Sequence, residues 1–169
     1  MRDIKTYRNE EKTQEELQGA RKLYENAHKY VTSITFRAPN PHDLTFVYDA
    51  WAKSSSVDVP YEKYKEHNQR IGERLTALLK SGAEIVLAVD ETDESHTLGF
   101  IIFTDRDDIQ EPILHYAYVK QKCRNQGIMK QMLRLVGFSL NNPIKTTTWV
   151  RRLNNYLNKP YRFEFIGGK

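Results

Sequence analysis

Of 169 residues only one is cysteine, Cys123, so no internal disulfide can form and no cysteine zinc cluster can be built. Long apolar runs are missing too. Nothing approaches the roughly 18–20 residues that a membrane-spanning helix needs. The opening MRDIKTYRNEEKTQEEL lacks the apolar core of a secretory signal. A reducing, intracellular (cytoplasmic) setting is therefore expected. His28, His42, His67 and His96 show no metal-ligand spacing, so no metal is expected. Internal repeats and low-complexity linkers are absent. Acid is nearly absent from the last third: from Lys120 onward there are 11 Lys/Arg and one acid, Glu164, a balance of +10 in a chain whose total is +4, so residues 1–119 carry −6. That asymmetry fits a polyanionic ligand, nucleic acid, an acidic protein surface, or a basic face that is simply solvated.

A hydrophobic share of 39% and a charged share of 28% describe a soluble globular chain of one main domain. Residues 10–30 read as a helix with a thin apolar stripe (Leu17, Ala20, Leu23, Tyr24, Ala27), making residues 1–31 an N-terminal helical extension and 32–169 the domain proper. Residues 32–37 read as a short strand. Asp43 is placed to cap a helix over 44–53, and Pro60 opens a second helix with Gly82 as its stop. Residues 84–90 and 98–104 read as strands joined by a polar turn, 91–97, and 113–119 is a third. Their weak alternation implies burial on both faces. A helix is expected from about 126 to 140, ended by Pro143, and a further strand over 145–150.

Residues 113–133, ILHYAYVKQKCRNQGIMKQML, carry most of the functional information. An aromatic strand ends in a short basic segment, one glycine follows, and an amphipathic helix begins. Such a turn aims several backbone amides, the positive end of a helix dipole and Arg124 at one point, which suits a phosphate or pyrophosphate.

The element order, with Arg124-Asn125-Gln126-Gly127-Ile128-Met129 after the strand, Val119 at its end and Gly99-Phe100 in the strand before, resembles the GNAT acyltransferases. It looks closest to small GNAT-like proteins of bacteriophages, through Trp51-Ala52-Lys53-Ser54, the string from His115 to Lys120, and Asn158-Lys159-Pro160-Tyr161. The resemblance covers residues 34–150. It implies an α/β fold with a mixed α+β sheet, and acetyl-CoA as cosubstrate. The cosubstrate would be held by Ala117, Tyr118, Val119, Arg124, Asn125, Gln126, Gly127, Ile128 and Met129. The family's turn ends in a small residue where this chain has Met129, a side chain able to turn aside or to fill the phosphate site.

The implied reaction is acetyl transfer to an amine on a small molecule or protein. His115 is the candidate base and Tyr161 or Tyr156 the proton donor to the departing thiolate, although Pro160 interrupts a helix there. A histidine within an apolar strand is more often a hydrogen-bonded core residue. Strand alternation puts His115, Ala117 and Val119 on one face, Tyr116 and Tyr118 on the other. The alternative is a catalytically inactive GNAT-fold interaction or structural protein, for example a virion component, with a protein partner at the N-terminal helix or the basic C-terminal third. Trp149, Tyr156, Tyr161, Phe163 and Phe165 are interleaved with that basic charge, but no recognised motif accompanies them, so nucleic acid is not the expected partner.

Overall fold

The computed structural model describes residues 34–105, 111–148 and 162–167. The chain divides into two compact units, Met1–Ile34 and Thr35–Lys169. The helix expected over residues 10–30 lies outside the described residues. In chain order come β1 (Ile34–Arg37), α1 (Asp43–Ser55), a 3-10 turn (Tyr61–Lys63), α2 (Tyr64–Lys80), β2 (Glu84–Asp90), β3 (Asp93–Thr104), β4 (Ile113–Val119), a second 3-10 turn (Gln121–Cys123), α3 (Ile128–Leu135), β5 (Ile144–Thr146) and β6 (Phe163–Phe165). The strands form one sheet in the order β1-β2-β3-β4-β5-β6. β2, β3 and β4 are antiparallel neighbours, while β4–β5 and β5–β6 are parallel.

Several boundaries differ from the sequence expectation. Asp43 is the first residue of α1, not its cap. The capping acceptor is Asn40, whose Oδ1 takes the N–H groups of His42 (3.0 Å) and Asp43 (3.1 Å). Asp43 instead accepts two bonds from the Arg37 guanidinium, at 2.6 and 3.2 Å, and one from the Asn40 N–H at 2.7 Å. The Arg37 bond holds its carboxyl below the usual range. β3 begins at Asp93, inside the segment expected as a turn, because the ladder runs on to Asp90↔Asp93 through two register shifts. α3 stops at Leu135, short of the expected 140. Gly137, at φ +89°, ends it with a Schellman pair: Gly137 N–H to Arg134 O and Phe138 N–H to Leu133 O. Gly82 ends α2 the same way, through Leu79 and Leu78. β5 is the three residues Ile144–Thr146 rather than 145–150, of which 149–150 lie outside the described residues.

Both sheet faces are covered. Val47 and Trp51 of α1 and Ile71 and Leu75 of α2 form one buried cluster with Ile85, Leu87, Val89, Phe100, Ile102 and Tyr116. The register places these strand residues side by side: Ile85↔Ile102↔Tyr116 and Leu87↔Phe100↔Tyr118. Alternation therefore sends Ala88 and Ile101 to the opposite face, where Ile128, Met132 and Leu133 of α3 pack, each at most 1% exposed. Burying side chains of this size stabilises the fold by roughly 1.5–3 kcal/mol each, which fixes the position of β4 and of the turn that follows it.

Candidate functional site

β4 carries a bulge. Ile102 pairs with Tyr116 but Phe103 pairs with Leu114, so His115 is the extra residue. One inserted residue resets which side chain faces where. Thr104 follows Ile102 by two positions and so lies on the α1–α2 face. The His115 ring reaches it, Nε2 to Thr104 Oγ1 at 2.7 Å, and binds Thr147 Oγ1 through Nδ1 at 2.8 Å. His115 thus shares a face with Tyr116, which corrects the alternation read from the sequence. The ring is 7% exposed, and its pKa falls to about 4, first through burial and second through the Arg74 charge. It is neutral near pH 7, and both nitrogens are committed to hydroxyls that tie β4 to β3 and to the residue after β5.

Beyond the bulge β4 leaves β5. Their register holds Leu114↔Thr146, with Thr147 N–H bonded to Leu114 O, and ends there among the described residues. Lys120 N–H is bonded to Leu98 O on β3. In an antiparallel strand these groups alternate in direction, so the N–H and C=O of Ala117 and Val119 face away from β3, along the edge that β5 has left. Their side chains and that of Tyr118 lie on opposite faces: Tyr118 packs against Phe46 and Phe100, with ring centroids 6.3 and 5.7 Å away. What Ala117, Tyr118 and Val119 share is a half-exposed stretch of strand backbone. β3 approaches closely here. A Cβ on Gly99 would stand 2.5 Å from Tyr118 O, so only glycine fits.

The turn after β4 reverses through two left-handed residues, Asn125 at φ +65° and Gly127 at φ +75°. Gly127 is the N-cap of α3, with no side-chain capping bond. The first intrahelical bond is Gln131 N–H to Gly127 O at 3.0 Å. The amides of Gly127, Ile128, Met129 and Lys130 therefore have no acceptor within the helix, and they sit at the positive end of its dipole. Arg124 folds back onto the strand, its Nε donating to Val119 O at 3.0 Å. Ile128 is buried, whereas Met129 is half-buried, one turn before Met132 and Leu133. Cys123 is buried and its thiol pKa is pushed up by burial, which suits packing rather than nucleophilic chemistry. Among the described residues no group of His, Cys, Asp and Glu is arranged to hold a metal.

Sequence reasoning missed the side chains gathered around the bulge on the α1–α2 face. Trp51 stacks on Tyr116 with ring centroids 4.6 Å apart, and the Tyr116 hydroxyl lies 2.6 Å from Ser54 Oγ. Ser54 also approaches the Ala50 carbonyl. A serine has one proton, and giving it to that carbonyl leaves Tyr116 as the donor to Ser54. Arg74 reaches from α2 to Thr147 O at 2.9 Å and Thr148 Oγ1 at 3.1 Å. Only the Trp51-Ala52-Lys53-Ser54 string hinted at this cluster, since helical spacing does not reveal which strand residue a helix will meet. A cleft of about 650 Å³ lies elsewhere, near the N-terminus of α1, lined by Arg37, Asn40, Asp43, Phe46 and Glu94 among others, and it meets the turn region only at Lys120. Tyr156 and Tyr161 lie outside the described residues.

No protein-family model matches the sequence, and none of the curated proteins does. Solved structures do match its fold. A candidate acetyl transferase from Pyrococcus furiosus superposes with a TM-score of 0.55 at 19% identity, over 80% of this chain and 97% of its own. A candidate acetyltransferase from Clostridium difficile 630 gives 0.50 at 12% identity, over 81% and 96%. The PaiA N-acetyltransferase of Thermoplasma acidophilum, solved with coenzyme A, gives 0.46 at 20% identity, over 62% and 69%. The mixed α/β fold is the GNAT acyltransferase fold.

Proposed function

We propose that the chain is an acetyl-CoA-dependent N-acetyltransferase. One observation carries this reading: a helix N-terminus whose first four amides have no acceptor within the helix, opened by the left-handed Gly127, follows directly on a bulged strand whose outer backbone edge is left unpaired by β5. The first feature suits a diphosphate and the second suits an amide-bearing arm, which can pair with the Ala117 N–H and C=O and with the Val119 N–H, the Val119 carbonyl already accepting from Arg124 Nε. Coenzyme A carries both groups in series. Arg124 and the backbone of Asn125, Gln126, Gly127, Ile128 and Met129 take the diphosphate. The acetyl group then lies near the bulge, where a backbone N–H polarises its carbonyl.

In the transfer, the neutral amine attacks the thioester carbon and a C–N bond forms as the C–S bond breaks. The amine proton passes to water or a base, and the departing thiolate takes a proton. With both ring nitrogens bound to threonines, His115 serves in this reading as the pin of the bulge rather than as the base. Tyr156 and Tyr161 remain the proposed donors to the thiolate. Titration calorimetry with acetyl-CoA tests the proposal. Micromolar binding, weakened more than tenfold by Arg124→Ala and abolished by Gly127→Trp, is expected; no heat at millimolar ligand refutes it.

A second reading starts from Met129 standing where the family's turn has a small residue: there the side chain fills the cradle and the fold serves as an interaction component, for example of a bacteriophage particle. Co-purification with a larger assembly and an absence of acetyl-CoA binding support that reading, while amine turnover by the isolated chain rejects it.

A further inference from the structure

We propose that the cleft at the N-terminus of α1 is a binding site for a small organic monocarboxylate with an apolar body, separate from the turn that follows β4. The site is independent of the acetyl-transfer reading and adds a second ligand to the chain.

The cleft measures about 650 Å³, within the range of small-molecule sites. Thr97 and Lys120 enter its lining from the sheet side. Thr97 pairs with Val89, a member of the cluster buried under α1 and α2, so it stands on that face. Lys120 is tied by its N–H to Leu98 O on β3, and its ammonium sits 5.1 Å from the centroid of the Phe46 ring on α1. Neighbouring strand positions thus bring a hydroxyl and a cation to the same cleft.

Both groups are unspent. Thr97 is 4% exposed, yet its hydroxyl makes no hydrogen bond among the described residues. The hydroxyl is not sealed from solvent either, which leaves the cleft it lines as the space it faces. Hydroxyls of residues this buried ordinarily have a partner. Lys120 has no carboxylate partner among the described residues and makes a cation–π contact with Phe46 in place of an ion pair. Asn40 adds a third donor at the rim: its Oδ1 accepts from the His42 and Asp43 N–H groups, and its Nδ2 is unspent.

The charges of the wall decide the class of ligand. Arg37 is held by Asp43 at 2.6 Å, and Glu94 lies 3.9 Å from its Nε. Both acids of the wall therefore face Arg37, which leaves Lys120 as the cation without an acid. One unpaired ammonium balances one negative charge. A second charge, as on a phosphate monoester, meets Asp43 and Glu94 with no counter-ion. Ala38, Pro39 and the Phe46 ring offer apolar surface to the rest of the ligand. A carboxylate that accepts from Lys120 and Thr97, on an uncharged body, meets each of these conditions.

NMR titration of the nitrogen-15-labelled chain with phenylacetate, phenylacetamide and phenyl phosphate tests the proposal. Phenylacetate should bind with a dissociation constant below about 1 mM, with its largest amide shifts at Phe46, Thr97 and Lys120. The neutral amide should bind at least tenfold more weakly, and the phosphate at least threefold more weakly. Lys120→Met keeps the stem over Phe46 and removes the charge, so it should bring phenylacetate down to the level of the amide. Thr97→Val keeps the shape and should weaken phenylacetate at least threefold. Saturating acetyl-CoA should leave the phenylacetate constant within threefold. A weaker constant, shifts centred on residues 124–130, equal binding of the amide, tighter binding of the phosphate, undiminished affinity in Lys120→Met, or displacement by acetyl-CoA overturns the proposal.

Discussion

Replacing His115 should flatten the acid sensitivity of this fold. In the folded chain its pKa is about 4, against 6.5 for the free side chain. Each tenfold difference in proton affinity is about 1.4 kcal/mol, so the full difference is about 3 kcal/mol. Water around the neighbouring Arg74, which is exposed, screens part of the unfavourable charge, and about 2 kcal/mol is the expected effect. The sign follows from where the proton binds. A histidine whose folded pKa lies below its unfolded value takes up its proton chiefly in the unfolded chain, so acid favours unfolding. The contribution is complete above pH 6.5 and is lost as pH falls toward 4. Urea unfolding at pH 7.5 and pH 4.5 measures it. Wild type should lose about 2 kcal/mol more over that interval than His115→Phe. The phenylalanine variant leaves the Thr104 and Thr147 hydroxyls without the ring nitrogens, at a pH-independent cost of about 1–3 kcal/mol each. If that prevents folding, His115→Asn gives the same comparison. A pH dependence equal to wild type, within about 0.5 kcal/mol, refutes the placement of a buried neutral imidazole between two threonines.

Three glycines should respond differently to alanine. Gly72 lies inside α2, where a Cβ would meet Tyr48 at an ordinary 3.4 Å, so Gly72→Ala should stabilise by about 0.5 kcal/mol, read as a higher midpoint in thermal unfolding. Gly137, at φ +89°, should lose about 1 kcal/mol in the same assay. Gly99→Ala should cost more than about 2 kcal/mol, because the obstacle is backbone, Tyr118 O at 2.5 Å. Asp43→Asn should cost about 1–2 kcal/mol by breaking the two-bond contact with Arg37. Because the Asp43 pKa is lowered, that difference should be present above about pH 4 and shrink below it, in parallel urea titrations of the two proteins.

The sheet and the turn were legible because they depend on local pattern. Ile113–Val119 is apolar and aromatic without a break, and Arg124 to Gly127 announces its own reversal. The bulge was not legible. It arises from the match of β4 against β3, where Phe103 meets Leu114 and leaves His115 over. A strand read alone shows strict alternation. Helix ends were misjudged where two stop signals competed: Pro143 drew attention, but Gly137 acts first because its left-handed backbone closes the Schellman pair six residues earlier. Polar composition disguised the start of β3, where backbone pairing with β2 matters more than side-chain propensity. The Trp51–Tyr116 and Arg74–Thr148 contacts join residues more than sixty positions apart, and one sequence carries no trace of such pairings.

Met129 decides whether the turn is a working cradle, and its place on α3 argues for one. Ile128, Met132 and Leu133 are buried against the sheet. Met129 precedes Met132 by three residues and Leu133 by four, so its side chain belongs to the flank of that buried stripe. Helical side chains lean back toward the N-terminus, but an unbranched thioether can follow the apolar flank instead of crossing the amides. On this account the methionine contributes packing and leaves the N–H groups of Gly127 to Lys130 open. Met129→Ala should therefore destabilise by about 1 kcal/mol, the share of a core truncation expected for a half-buried side chain, while coenzyme A affinity moves less than threefold. A methionine seated in the cradle predicts the reverse, a gain in affinity of tenfold or more with little change in stability. Calorimetry and thermal unfolding on the one variant separate the two, because the same side chain cannot both cover the amides and fill the groove between helix and sheet.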